Sequence, residues 1–249
     1  MRKKFIAANW KMNNGIFETE KFIKSFSVNS DENIDILICA PFISLHVLKN
    51  EFKNRKLILG AQNVSSEDKG AYTGEISASM LKELEVSYVI AGHSERRNLF
   101  FENDNFINKK LKKIFENDMT PILCCGETLS EKAQNKSNEI VENQILKGID
   151  GIDEDKISKL VIAYEPVWAI GSGKLPTNEE IENMALFIRN LFSKKFSKEV
   201  AENIRILYGG SVKAGNIKEV LENKNIDGAL IGGASVNAQD LTQIVLNIR

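Results

Sequence analysis

The sequence has little of several features that would narrow its role at once. It has only three cysteines in 249 residues, Cys39, Cys124 and Cys125. An odd count with two neighbours cannot make a fully paired disulfide framework, so a reducing compartment suits the chain. No apolar run approaches the ~20 residues that cross a bilayer. The basic start at Arg2, Lys3 and Lys4 leads into only a few apolar residues before Asn9 and Lys11, too short a core for a secretory signal. The expected location is therefore the cytoplasm, with no membrane partner. Charge of one sign is lacking too: 33 Lys and Arg stand against 34 Asp and Glu, a net charge of -1. That balance argues against an electrostatic nucleic-acid or membrane-surface binder. Nor is there a Pro-, Gly- or Ser-rich linker or a break in composition, so residues 1–249 are expected to form one domain.

What is present is the balance of an ordinary globular protein, 43% apolar and 27% charged. Short apolar runs recur at residues 5–8, 34–40, 57–61, 88–91, 121–125, 160–164, 204–208 and 229–231. Each is near strand length, and several are dense in Ile and Val, as buried parallel strands tend to be. Helix-period segments lie between them. Residues 17–26 place Phe22, Ile23 and Phe26 on one face. Residues 107–115 carry Ile107, Leu111, Ile114 and Phe115 at steps of three and four. Thr177 followed by Glu180 is a capping-box pattern opening a further helix. Eight strands alternating with helices over about 250 residues fit a (β/α)8 barrel. An open doubly wound sheet is the alternative.

In such a barrel, chemistry gathers past the C-terminal ends of the strands. Polar clusters stand just there: Asn9-Trp10-Lys11, Gly92 to Arg97, Gly126-Glu127, Glu165-Pro166, Gly209-Gly210-Ser211 and Gly232-Gly233. Segments 62–75 and 166–176 are long for bare connections. Glu165 follows a buried strand, where desolvation raises a carboxyl pKa and makes a stronger base; a solvated loop acid is the plainer reading. His93 stands where a helix begins, a place that disfavours the imidazolium and suits a neutral hydrogen-bond donor. A lone histidine is more often merely structural, and His46 in an amphipathic stretch is read that way. Lys11 can present a cation to a developing oxyanion. Glu95 can hold that lysine or cap its own helix. The two glycine pairs fall after strands seven and eight, where barrel enzymes bind phosphate through backbone N–H groups.

Several motifs fail. Gly171-Ser172-Gly173-Lys174 is not a phosphate loop, because Trp168 stands at the required upstream glycine and Leu175 follows the lysine. No cluster has metal-ligand spacing, no dinucleotide fingerprint follows a strand, and there is no nucleophile elbow. Cys124 and Cys125 are expected as buried strand-end thiols. The residues point to an enzyme without metal or cofactor, acting on a small phosphorylated molecule.

Five segments then resemble the triosephosphate isomerase family in order and spacing: Asn9 to Asn13, Ala91 to Arg97, Ala163 to Lys174, Tyr208 to Val212 and Gly232 to Ser235. The resemblance implies interconversion of dihydroxyacetone phosphate and glyceraldehyde 3-phosphate. It makes Glu165 the base, His93 the neutral electrophile, and Lys11 and Asn9 the groups that hold the enediolate, with Glu95 beside Lys11. Backbone N–H groups of Gly171, Ser211, Gly232 and Gly233 match the phosphate grip. Residues 166–176, with Pro166, Ile170, Gly171, Ser172, Gly173 and Pro176, match a lid that excludes water. Ile170 and Leu230 match apolar residues flanking the base. Residues 70–75 resemble a dimer loop whose tip, Thr73, enters the neighbouring subunit of a homodimer. Departures fall in the lid: Ser172 replaces a usual threonine, and Pro176 replaces a residue whose N–H donates to the hydroxyl matching Tyr208. Another phosphate-gripping barrel enzyme, such as a lyase or epimerase, could share the glycine pairs but is not expected to carry Lys11, His93 and Glu165 together. A non-catalytic barrel would have lost at least one of the three.

Overall fold

The computed structural model describes residues 2–52, 55–170 and 175–249. Its eight strands are β1 (Lys4–Asn9), β2 (Ile34–Ala40), β3 (Ile58–Ala61), β4 (Tyr88–Ala91), β5 (Thr120–Cys125), β6 (Val161–Tyr164), β7 (Arg205–Tyr208) and β8 (Gly228–Ile231). They close into a barrel in sequence order, and every neighbouring pair is parallel. The (β/α)8 barrel is thus the observed architecture, and the open sheet is not.

Two apolar layers explain the strand compositions. Phe5, Ala7, Leu37, Cys39, Ile90, Ile122, Cys124, Val161, Ala163, Leu207 and Leu230 fill the barrel interior. Their sequence neighbours, such as Ile6, Ala8, Ile36, Ile38, Ile162 and Ile206, pack outward against the helices. Side chains alternate along a strand, so a strand covered on both faces must be apolar throughout. That is why the strands read as continuous hydrophobic runs.

The helices form the outer ring. In the first half they are α1 (Ile16–Ser25), α2 (Phe42–Phe52), α3 (Ala78–Glu83), α4 (Ser94–Leu99) and α5 (Asp104–Glu116). The second half adds α6 (Leu129–Ala133), α7 (Ser137–Gly148), α8 (Glu154–Ile157), α9 (Asn178–Lys195), α10 (Lys198–Asn203), α11 (Ile217–Glu222) and α12 (Ala238–Leu246). The α9 capping box is present: the Glu180 N–H donates to Thr177 Oγ1 at 3.1 Å, and the Thr177 N–H donates to Glu180 Oε2 at 2.8 Å. His46 is exposed on α2. All three cysteines are buried free thiols, as expected of Cys124 and Cys125. No helix among the described residues is long and apolar enough to cross a membrane.

Candidate active site

Alternation along the strands delivers the polar residues to one place. On β1 the inward series Phe5, Ala7 continues to Asn9; on β6, Val161 and Ala163 continue to Glu165; on β7, Leu207 continues to Gly209; on β8, Leu230 continues to Gly232. All four line a cavity of about 320 Å³ past the strand ends, together with Lys11, His93, Ile170, Leu230, Ser211 and Gly233. That is small-molecule size.

His93 reaches the cavity through a turn. Gly92 adopts φ +72°, a conformation a side chain would strain, and this ends β4 and sets His93 as the N-cap of α4. The His93 Nδ1 accepts a hydrogen bond from the Glu95 N–H at 3.2 Å. Nδ1 therefore carries no proton, and Nε2 is the donor. It lies 3.1 Å from Glu165 Oε1. The other Glu165 oxygen accepts from the Ser94 N–H at 3.2 Å.

These contacts correct two expectations. Burial does raise the Glu165 carboxyl, but the proximity and hydrogen bond of His93, the Ser94 N–H and Lys11 outweigh it, and the carboxyl lies below the ordinary range. Burial alone would lower His93; the charge and hydrogen bond of Glu165, with the Glu95 carboxylate, leave it raised instead of lowered as its helix position suggested. The Glu95 amide opposes protonation, because an imidazolium would turn an Nδ1–H against that N–H. The neutral tautomer is the form this geometry holds.

Lys11 sits in the left-handed region at φ +53°, costly for a residue with a side chain. Its N–H donates to Asn9 Oδ1 at 3.0 Å, and its carbonyl accepts from Gln62 Nε2 at 2.9 Å. The ammonium meets Glu95 Oε1 at 2.6 Å. Glu95 thus performs one of its candidate jobs, holding Lys11; the cap of α4 is His93, whose Nδ1 takes the Glu95 N–H. Gln62 was not singled out from sequence; no local pattern marks a glutamine that serves two carbonyls, on Lys11 and Cys39, far away in the chain.

The other end of the cavity is backbone. Among the described residues, no acceptor takes the N–H of Ser211 or of Gly233, which opens a single 3₁₀ turn (Gly233–Ser235). Unpaired N–H groups at such starts suit an anion. Asn216 also escaped the sequence reading: its Oδ1 accepts from the Lys213 N–H at 2.8 Å, and its Nδ2 donates to the Ser211 carbonyl at 2.9 Å.

A model of the triosephosphate isomerase family matches residues 4–248. The chain belongs to the triosephosphate isomerase family. Family members with that name include one from Finegoldia magna, 47% identical over 98% of both chains. The triosephosphate isomerase of Dictyoglomus turgidum is 49% identical, and that of Clostridium botulinum 45%, each over 98% of this chain and 99% of its own.

Of the residues matching the family's lid, Gly171, Ser172 and Gly173 lie outside the described residues. Pro166 is buried and leads into a 3₁₀ turn (Val167–Ala169). There the Trp168 indole N–H donates to Glu127 Oε1 at 2.7 Å. In the sequence Glu127 stands out only as part of a polar pair; its partners, the Trp168 indole and the Tyr164 hydroxyl, lie 41 and 37 residues away. Pro176 is buried beside the α9 cap, and Tyr208 packs its hydroxyl toward Gly210, where a Cβ would stand 2.2 Å from it. Thr73 is exposed at the tip of the 62–77 loop, away from the cavity of its own chain. Among the described residues, no group of three acidic, His or Cys side chains is placed to hold a metal ion.

Proposed function

We propose that this chain interconverts dihydroxyacetone phosphate and glyceraldehyde 3-phosphate through an enediolate, without metal or cofactor. The observation that carries the reading is the 3.1 Å pairing of a buried carboxylate, Glu165, with a neutral donor, His93 Nε2, over a cavity that also holds Lys11. Glu165 removes the proton from the carbon next to the carbonyl, and returns it to the neighbouring carbon. His93 donates through Nε2 to the oxygens on which charge develops. Asn9 and the Lys11 ammonium stabilise that charge, with Glu95 fixing Lys11. A general base contributes about 10²–10⁴-fold and an oxyanion donor about 10²–10³-fold.

Substrate arrival also supplies the missing basicity. The Nε2–H that now serves Glu165 must turn to a substrate oxygen, and Glu165 must leave His93. Burial then acts on the carboxylate with less to oppose it, and its proton affinity rises. Ile170 and Leu230, both on the cavity wall, complete that dry environment when the 166–176 segment folds over the substrate. The N–H groups of Gly171, Ser211, Gly232 and Gly233 grip the phosphate.

The working form is a homodimer of single-domain subunits spanning residues 1–249. A second cavity of about 280 Å³ shares Asn9, Lys11 and His93 with the first; Met12, Glu95 and Phe100 also line it. Met12 is 96% exposed and Phe101 84%, far more than apolar side chains favour. The Thr73 tip of a partner fits that socket and buttresses the catalytic residues. Three free thiols suit a reducing, cytoplasmic setting. A coupled assay tests the reaction: glyceraldehyde 3-phosphate must form from dihydroxyacetone phosphate without added metal. No product, or release of a different one as a lyase or epimerase would give, overturns the reading.

A further inference from the structure

The charges in the cavity do not by themselves attract a phosphate dianion. Lys11 is matched by Glu95 at 2.6 Å. His93 is held neutral through the Glu95 N–H. Glu165 adds a negative charge. These groups sum to one negative charge, yet a phosphate monoester carries nearly two at neutral pH. Among the described residues, one other ammonium-bearing residue lines the cavity, Lys213. It is exposed, and among the described residues its ammonium has no hydrogen-bond or ion-pair partner. Its backbone is fixed, however. Asn216 binds the Lys213 N–H and the Ser211 carbonyl together, so the loop that offers the Ser211 N–H also holds Lys213 at the same rim.

We propose that Lys213 is a positioning residue for the substrate phosphate, whose ammonium turns the rim of the cavity positive and draws the dianion in. It does not reach the reacting carbons. The inference rests on the isomerase reading and adds to it the group that sets substrate capture. Clefts lined by one sign of charge raise association rates by about 10–10³-fold. One exposed cation accounts for the lower part of that range, and salt screens it over a Debye length of about 30 Å at 0.01 M but only about 10 Å at 0.1 M.

The test compares wild type, Lys213→Gln and Lys213→Arg at low (about 10 mM) and high (about 300 mM) ionic strength. It measures kcat, KM and the inhibition constant of inorganic phosphate. Lys213→Gln should lower kcat/KM by about three- to tenfold at low salt, through KM, with kcat within about twofold. The phosphate inhibition constant should rise by a similar factor. Both differences should shrink below about twofold at high salt, and Lys213→Arg should restore both. Unchanged kcat/KM and phosphate inhibition at low salt would overturn the proposal. So would a loss indifferent to salt or not rescued by arginine, which marks a structural role. A wild-type protein that fails to isomerise triose phosphates refutes the isomerase reading instead; direct binding of inorganic phosphate to wild type and Lys213→Gln by calorimetry then tests the Lys213 proposal without turnover.

Discussion

Gly209 leaves the space that Glu165 occupies, and adding one methyl group there tests how tightly the proposed base is positioned. A Cβ at Gly209 would lie 2.7 Å from Glu165 Cγ, and 3.4 Å from both its Oε1 and the Tyr164 carbonyl oxygen. Non-bonded carbons pack at about 3.5–4.0 Å, so Cγ must retreat by about 1 Å. The Glu165 backbone has no room to follow: Gly126 lies so close that a Cβ there would stand 1.8 Å from the Glu165 carbonyl oxygen. The side chain must therefore rotate away from His93 and Ser94. Misplacing a catalytic group by 1 Å costs about 10²-fold in rate, which is about 2.7 kcal/mol of transition-state stabilisation. Overpacking itself costs about 1–3 kcal/mol of stability, so the barrel should still fold. In the coupled assay Gly209→Ala should lower kcat by about 10²-fold and change KM by less than about threefold. Gly215→Ala, whose Cβ would meet nothing within 4 Å, is the control and should leave kcat unchanged. A folded Gly209→Ala enzyme with kcat within about twofold of wild type would refute the packing argument.

Other outcomes follow from the same geometry. Ile170→Ala, which removes part of the apolar wall, should lower kcat and weaken a transition-state analogue more than the substrate; equal weakening would mean that Ile170 supplies only uniform binding. In the proposed dimer, Thr73→Glu should place a charge in the partner's socket at a cost of several kcal/mol and yield monomers of low activity; sedimentation showing that the wild type is an active monomer at micromolar concentration would contradict that dimer. Tyr208→Phe should cost under about threefold in kcat/KM, because Pro176 has no N–H to donate to the hydroxyl. Pro176→Ala should make the enzyme newly sensitive to losing that hydroxyl, and a double-mutant cycle reads the coupling directly. A large Tyr208→Phe penalty beside Pro176 would show that the hydroxyl has another partner.

Strands were the most legible part of the fold, since burial on both faces forces every position to be apolar. The disagreements are instructive. Leu160 and Ile204 read as strand residues, yet their N–H groups close helical turns onto Ile157 and Val200. Both are buried, so apolarity reported burial there and not strand pairing. The helix seen as 107–115 begins at Asp104, because Asn103 caps it through the Phe106 N–H at 3.0 Å. Short helices such as α6, α8 and α11 have too few turns to show a period. Within the site, Asn9, Glu165 and Gly232 were findable as the first polar or glycine residues past apolar runs. Gln62, Glu127 and Asn216 were not. Each acts on a backbone or side chain that only the closed barrel or a folded loop brings to it. The left-handed backbone of Lys11 was equally invisible, since nothing in a lysine announces it.

Proton transfer through Glu165 is tested most directly by turnover in D₂O, following deuterium at the carbon that gains the proton by NMR. The wild-type enzyme should isomerise glyceraldehyde 3-phosphate and place solvent deuterium on that carbon of the product. Glu165→Gln keeps the shape of the side chain and removes the proposed base. It should slow isomerisation and deuterium uptake together by about 10²–10⁴-fold while the fold is retained. A folded Glu165→Gln enzyme that turns over and incorporates deuterium at near the wild-type rate would show that another group carries the proton.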